Sequence, residues 1–148
     1  MQRIPDFVRY VQGQHGTSFD ATYAALGQYG RTNGIINELI SAQVLADEGI
    51  SCSPQQILVT VGCQEAMELC VRNLCRAHDD IVLVRSPTYI GITGVADLSG
   101  TELAAFSRDD DSILQSFMET VTSVERLGKR PRALYLIPDF DNPTGSVL

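Results

Sequence analysis

The chain has 148 residues, 44% of them hydrophobic and 20% charged, a balance that suits one globular domain. Its formal net charge of −7 and pI of about 4.6 argue against nucleic acid and anionic membrane as partners, because both recruit basic surfaces. No apolar run approaches the roughly 18 residues of a membrane span. Met1 to Asp6 lacks signal-peptide character, so a cytoplasmic location is expected.

In chain order, residues 1–33 are polar and rich in glycine (Gly13, Gly16, Gly27 and Gly30), which predicts an irregular arm with a short helix near Phe7 to Val11. From Ile35 to Glu48 the apolar residues Ile36, Leu39, Ile40 and Val44 recur every three or four positions, and Gly49 follows. That is a helix with a glycine stop. Ile57 to Val61, Ile81 to Val84 and Ala133 to Ile137 are short, continuously apolar runs rich in β-branched residues. They read as parallel strands covered on both faces. Gln64 to Ala77 carries Met67, Cys70, Val71, Leu74 and Cys75 at helical spacing, with Cys70 and Cys75 expected as buried thiols. Thr101 to Phe106 is a candidate strand. Asp111 to Leu127 is a candidate helix opened by the acidic run Asp109 to Asp111, which suits a helix N-terminus. The alternation predicts an α/β fold, three layers deep, around a largely parallel sheet.

The cysteines Cys52, Cys63, Cys70 and Cys75 contain no Cys-x-x-Cys pair, and neither His15 nor His78 completes a zinc spacing. No metal site is expected.

Each apolar run is followed by a segment with chemistry. At Val61-Gly62-Cys63-Gln64 a buried run meets a glycine and a helix start. Unpaired N–H groups and the positive dipole end make such a junction an anion site, with the Gln64 amide as a further donor. An ordinary tight turn has the same signature. After the second run comes Ser86-Pro87-Thr88-Tyr89, at the strand end where ligands of open α/β sheets bind. The Tyr89 ring suits a flat heterocycle, and equally a surface turn. After the third run, Pro138 to Gly145 contains Asn142, both donor and acceptor, in Asn-Pro-Thr-Gly.

Taken in order, Tyr29-x4-Gly34, Gly62-Cys63-Gln64-Glu65-Ala66, Ser86-Pro87-Thr88-Tyr89-x-Gly91 and Asn142-Pro143-Thr144-Gly145 resemble the class I/II aminotransferases of fold type I. The resemblance implies the incomplete large domain of a pyridoxal-phosphate-dependent transferase, with pyridoxal 5'-phosphate as cofactor. It implies that Gly62, Cys63 and Gln64 hold the cofactor phosphate, that Tyr89 stacks on the pyridine ring, and that Asn142 hydrogen-bonds the ring oxygen. Tyr29 would reach the phosphate in a neighbouring subunit, which implies a homodimer. Residues 1–33 would form an arm, part of a small domain or a dimer contact, and residues 34–148 the first part of the large domain. The partners implied are a small amino acid and a keto acid, in amino acid metabolism.

The chain departs from the family pattern at three places. Glu38-Leu39 stands where Leu-Arg is usual, Cys63 where Ser or Thr is common, and Asp141 where Gln often precedes the Asn. The resemblance also requires a Schiff-base lysine and an aspartate for the pyridine nitrogen. The chain's one lysine, Lys129, precedes the third strand and is expected at the opposite end of the sheet from the motifs, roughly 17 Å away for a five-residue strand. No catalytic residue is therefore assigned, and the chain by itself is expected to be inactive. Two other readings stay open: a ligand-sensing, non-catalytic domain of a regulator, and a non-functional truncation product.

Overall fold

The computed structural model describes residues 3–16, 18, 20, 21, 36–107 and 113–148. The chain forms two compact units, Met1–Val59 and Thr60–Leu148. Tyr29 and its motif lie outside the described residues.

In the first unit, helix α1 spans Arg3–His15, well beyond the short helix expected at Phe7 to Val11. Ile4, Phe7, Val8 and Val11 are spaced three or four apart in the sequence, and Pro5 falls in the first turn, where proline is tolerated. Val8 is fully buried, and the Gly16 N–H closes the helix on the Gln12 carbonyl at 2.8 Å. Helix α2, Asn37–Glu48, ends as expected at Gly49, whose φ of 68° is left-handed and whose N–H reaches the Leu45 carbonyl. The buried Asn37 side chain donates to the carbonyls of Pro54 (3.0 Å) and Ile57 (3.1 Å), and the Ser41 hydroxyl donates to the Cys52 carbonyl at 2.6 Å.

The second unit holds a parallel three-stranded sheet of β1 (Asp80–Arg85), β2 (Glu102–Phe106) and β3 (Arg130–Tyr135), in the order β2-β1-β3. Every residue of β1 is buried. Strand alternation sends Val82 and Val84 to one face, against Met67 and Val71 of α3 (Cys63–Leu74) and Ile92 and Val95 of α4 (Ile90–Ser99). Ile81 and Leu83 face the other way, with Phe106 and with Val124 of α5 (Ile113–Arg126). The Phe106 and Phe117 rings meet edge to face, with centroids 5.4 Å apart. This is the predicted three-layer α/β arrangement.

Three local expectations change, and one helix was not anticipated. Ile57 to Val61 is not a strand: no ladder partner exists for it among the described residues, and Leu58 and Val61 are about two-thirds exposed, at 60% and 63%. Its backbone groups are diverted, the Ile57 carbonyl to Asn37 and the Val61 N–H to the Glu65 carboxylate at 2.5 Å. Strand β3 runs 130–135 rather than 133–137, with a register irregularity between Ile81 and Val82 of β1. Pro131 lacks an N–H, which an edge strand tolerates. Helix α4 has no strong sequence signature because Gly91 and Gly94 interrupt it. Its buried Ile92, Val95 and Ala96, and left-handed Gly100 at its end, hold it in place. Cys70 is exposed and Cys75 only partly buried, because Met67 and Val71 take the inward face of α3.

The amino end of the sheet is fixed by charge. The buried Asp80 carboxylate accepts the Arg76 N–H at 2.7 Å and Arg130 Nε at 2.8 Å. Arg132 Nε donates to the Leu74 carbonyl at 2.9 Å, and Lys129 pairs with Glu102. The backbone hydrogen bond from Arg76 is the main reason the Asp80 carboxyl is held below the usual carboxylate range, with Arg130 adding to it. Because the folded value is depressed, this stabilisation is complete above the ordinary carboxylate range and disappears as pH falls through the lower folded value. Asp80→Asn should therefore be less stable than the wild type at neutral pH, and the gap should close steadily on acidification. Urea midpoints measured between about pH 7 and the acid limit of folding check this.

Candidate functional site

The carboxyl ends of β1 and β3 and the amino end of α3 meet in the second unit. Gly62 precedes α3 with φ 85° and ψ 172°. A Cβ there would touch nothing within 4 Å, so the backbone conformation, not crowding, requires glycine. Two side chains fix the turn: Thr60 Oγ1 donates to the Gly62 carbonyl at 2.9 Å, and Glu65 takes the Val61 N–H. No side chain caps α3 itself, and Cys63 and Gln64 are exposed. The first-turn N–H groups thus have no side-chain cap and lie in an exposed segment, an arrangement suited to an oxyanion.

Tyr89 ends the Ser86-Pro87-Thr88-Tyr89 segment and precedes α4. Its ring lies against Gly91: a Cβ on Gly91 would fall 2.2 Å from Tyr89 Cε1 and 2.6 Å from Gln64 Oε1. Gln64 Nε2 donates to the Gly91 carbonyl at 3.1 Å. Gly91 is therefore the point where the first and second motifs touch, and only a residue without a side chain lets them do so. The Gln64 amide is used to hold this contact, which leaves its backbone N–H for an anion.

Tyr135, the last residue of β3, joins the third strand to this group. It packs on the same core cluster as Tyr89, in register with Val84. Burial pushes its phenol above the ordinary value, and the neighbouring Cys63, Tyr89 and Asp141 push it the same way. The phenol stays protonated at neutral pH. Sequence reasoning passed over Tyr135 as part of an apolar run. The signal was its parity with Ala133, on the face where α3 packs.

Beyond β3 the chain folds back on itself. The Asp141 carbonyl accepts the N–H groups of Thr144 (2.8 Å) and Gly145 (2.5 Å), the Asp141 N–H reaches the Ser146 carbonyl at 2.8 Å, and the Leu148 N–H closes on the Pro138 carbonyl at 2.8 Å. Asp141 is 5% exposed and Thr144 Oγ1 donates to its Oδ2 at 3.3 Å, so the family departure at this position is a turn-builder. Asn142 sits beside it, exposed. Among the described residues no hydrogen bond joins Asn142 to Gln64 or Tyr89. Lys129 and its partner Glu102 stand at the starts of β3 and β2, the end of the sheet away from this cluster.

The family model for aminotransferase class I and II matches residues 25–148. The chain is 40% identical over 127 residues to (S)-3,5-dihydroxyphenylglycine transaminase of Amycolatopsis orientalis, covering 82% of this chain and 28% of that protein. It is also 30% identical over 107 residues to an HTH-type transcriptional regulator of Bacillus subtilis, covering 72% of this chain and 21% of the regulator. Among solved structures, an archaeal alanine:glyoxylate aminotransferase superposes with a TM-score of 0.74 at 25% identity, over 82% of this chain and 30% of that one. The alpha-aminoadipate aminotransferase of Thermus thermophilus, solved with N-(5'-phosphopyridoxyl)-L-leucine, gives 0.61 at 30% identity, over 81% and 28%. The chain therefore spans under a third of the length of these relatives. A family match across most of the sequence, carried on a parallel sheet of the same fold, has one consequence: the chain belongs to the class I and II aminotransferases of fold type I, of which it covers a part.

Proposed function

We propose that this chain provides the phosphate and ring-stacking side of a pyridoxal 5'-phosphate site in an aminotransferase that moves an amino group between an amino acid and a 2-keto acid. The observation that supports it most is the uncapped start of α3 at Gly62, next to a tyrosine ring pinned on Gly91 by Gln64. The backbone N–H groups of Cys63 and Gln64 bind the phosphate, and the thiol of Cys63 costs little because the backbone does the binding. Tyr89 stacks on the pyridine ring and keeps water from that face. Asn142 orients the ring oxygen with its amide. Tyr135, protonated, backs the ring face as a hydrogen-bond donor. When bound, pyridoxal phosphate supplies an electron sink for negative charge at the amino acid's α-carbon.

Residues 1–33, with Tyr29, serve as the arm that meets a neighbouring subunit's cofactor phosphate, and residues 34–148 as part of the large domain of a cytoplasmic homodimer. The one lysine, Lys129, is paired with Glu102 at the far end of the sheet, which supports the reading that the lysine attaching the cofactor is not among these residues and that the chain alone does not transaminate. The likeness to HTH-type regulators favours one second reading, a ligand-sensing domain that binds the same cofactor without turnover.

Two outcomes follow. Pyridoxal phosphate added to the protein should be bound in an absorbance titration, with Tyr89→Ala weakening binding roughly three- to tenfold, the scale of a lost aromatic stack. Gly91→Ala should weaken it at least as much, because the new methyl displaces the Tyr89 ring and Gln64 together. Unchanged affinity in both variants would remove Tyr89 from the site. Borohydride reduction of the mixture, followed by peptide mapping, should yield no specific adduct on Lys129, and added amino acid should give no keto acid. A stoichiometric Lys129 adduct with turnover would contradict the assignment.

A further inference from the structure

Arg85 closes β1 and is used by nothing described so far. It is 5% exposed, and its Nε and Nη1 have no hydrogen-bond partner among the described residues. Its direction follows from the strand. Ile81 and Leu83 point to the α5 face, Val82 and Val84 to the α3 and α4 face, so Arg85 points to the α5 face. Its register partner on β2 is Phe106, which belongs to the same α5-side cluster, and the Ser86 N–H continues the ladder on the Phe106 carbonyl at 3.1 Å. The strand ladder therefore fixes the Cα–Cβ direction of Arg85 toward the α5 face.

A buried cation is tolerated in a folded protein when an anion neutralises it and occupies its N–H donors. Guanidinium groups are suited to planar oxyanions, above all carboxylates. Arg85 also stands at the carboxyl end of the strand, the end at which open α/β sheets receive ligands. Tyr89 and Tyr135 pack on the opposite face, so this position is separate from the ring-stacking cluster. We propose that Arg85 is an oxyanion receptor on the α5 face of the sheet, filled in the working protein by a carboxylate or phosphate. The inference does not depend on the cofactor reading.

Two sources share this chemistry, a carboxylate side chain of the protein itself and a free small oxyanion. Thermal midpoints of wild type, Arg85→Lys and Arg85→Met, measured with acetate or inorganic phosphate balanced against sodium chloride at constant ionic strength, separate them. A wild-type midpoint that rises with either oxyanion, and a flat response in Arg85→Met, identifies a free anion. A wild type indifferent to both, with Arg85→Met several degrees less stable and Arg85→Lys in between, identifies an internal carboxylate. Arg85→Met as stable as or more stable than wild type, or equal loss in the Lys and Met variants, with no oxyanion response in the wild type, overturns the proposal, because the charge would then have no anionic partner.

Discussion

Strand β1 is buried on both faces along its whole length, and the rest of the second unit depends on that. Its four apolar residues divide evenly between two helical layers. Each side chain removed from water contributes about 1.5–3 kcal/mol, so burial of these four is a major source of cohesion in the unit. Its two ends carry different tasks. Asp80 at the amino end ties the strand to Arg76 and Arg130. Arg85 and the segment that follows it stand at the carboxyl end, where the sheet meets the start of α3. Holding β1 rigid is what fixes Tyr89 in space, since only the short Ser86–Thr88 segment separates them.

The candidate site is built mostly from backbone. Gly62 supplies a conformation that side chains rarely adopt, and Gly91 supplies room for a ring and an amide to close over it. Side chains with obvious chemistry act as supports. Gln64 clamps Gly91, Glu65 and Thr60 fix the approach to α3, and Asp141 organises the turn around Asn142. An arrangement of this kind suits an oxyanion and a ring held by position. That fits a family in which the cofactor performs the difficult chemistry and the protein orients it.

How much was legible in the sequence depended on the kind of signal. A continuous β-branched run located β1, because double-sided burial leaves a compositional trace, whereas β2 was only a candidate strand and β3, half-exposed along its length, was placed three residues late. The same trace misassigned Ile57 to Val61: apolar composition sets an extended backbone, whereas a strand also needs a partner, and Asn37 and Glu65 take two of the backbone groups that a ladder would use. Helix α4 was hidden by Gly91, whose role is tertiary and leaves no local pattern. Cys70 was read inward because spacing alone does not say which residue centres the buried stripe. Arg85 was invisible as a functional candidate, since burial of a charged group at the end of an apolar strand is a three-dimensional fact, and Tyr135 was passed over although its parity with Ala133 pointed to the α3 face.

The most direct measurement of the central idea, an oxyanion held by the backbone at the start of α3 beside Tyr89, is an amide NMR titration of the protein with pyridoxal phosphate and, separately, with inorganic phosphate. Both ligands should move the Cys63 and Gln64 amides first and saturably, and pyridoxal phosphate alone should also move Gly91 and the Tyr89 ring. Saturable shifts confined to other parts of the chain, with residues 62–66 unmoved, would show that the helix start is an ordinary turn and that the cofactor binds elsewhere.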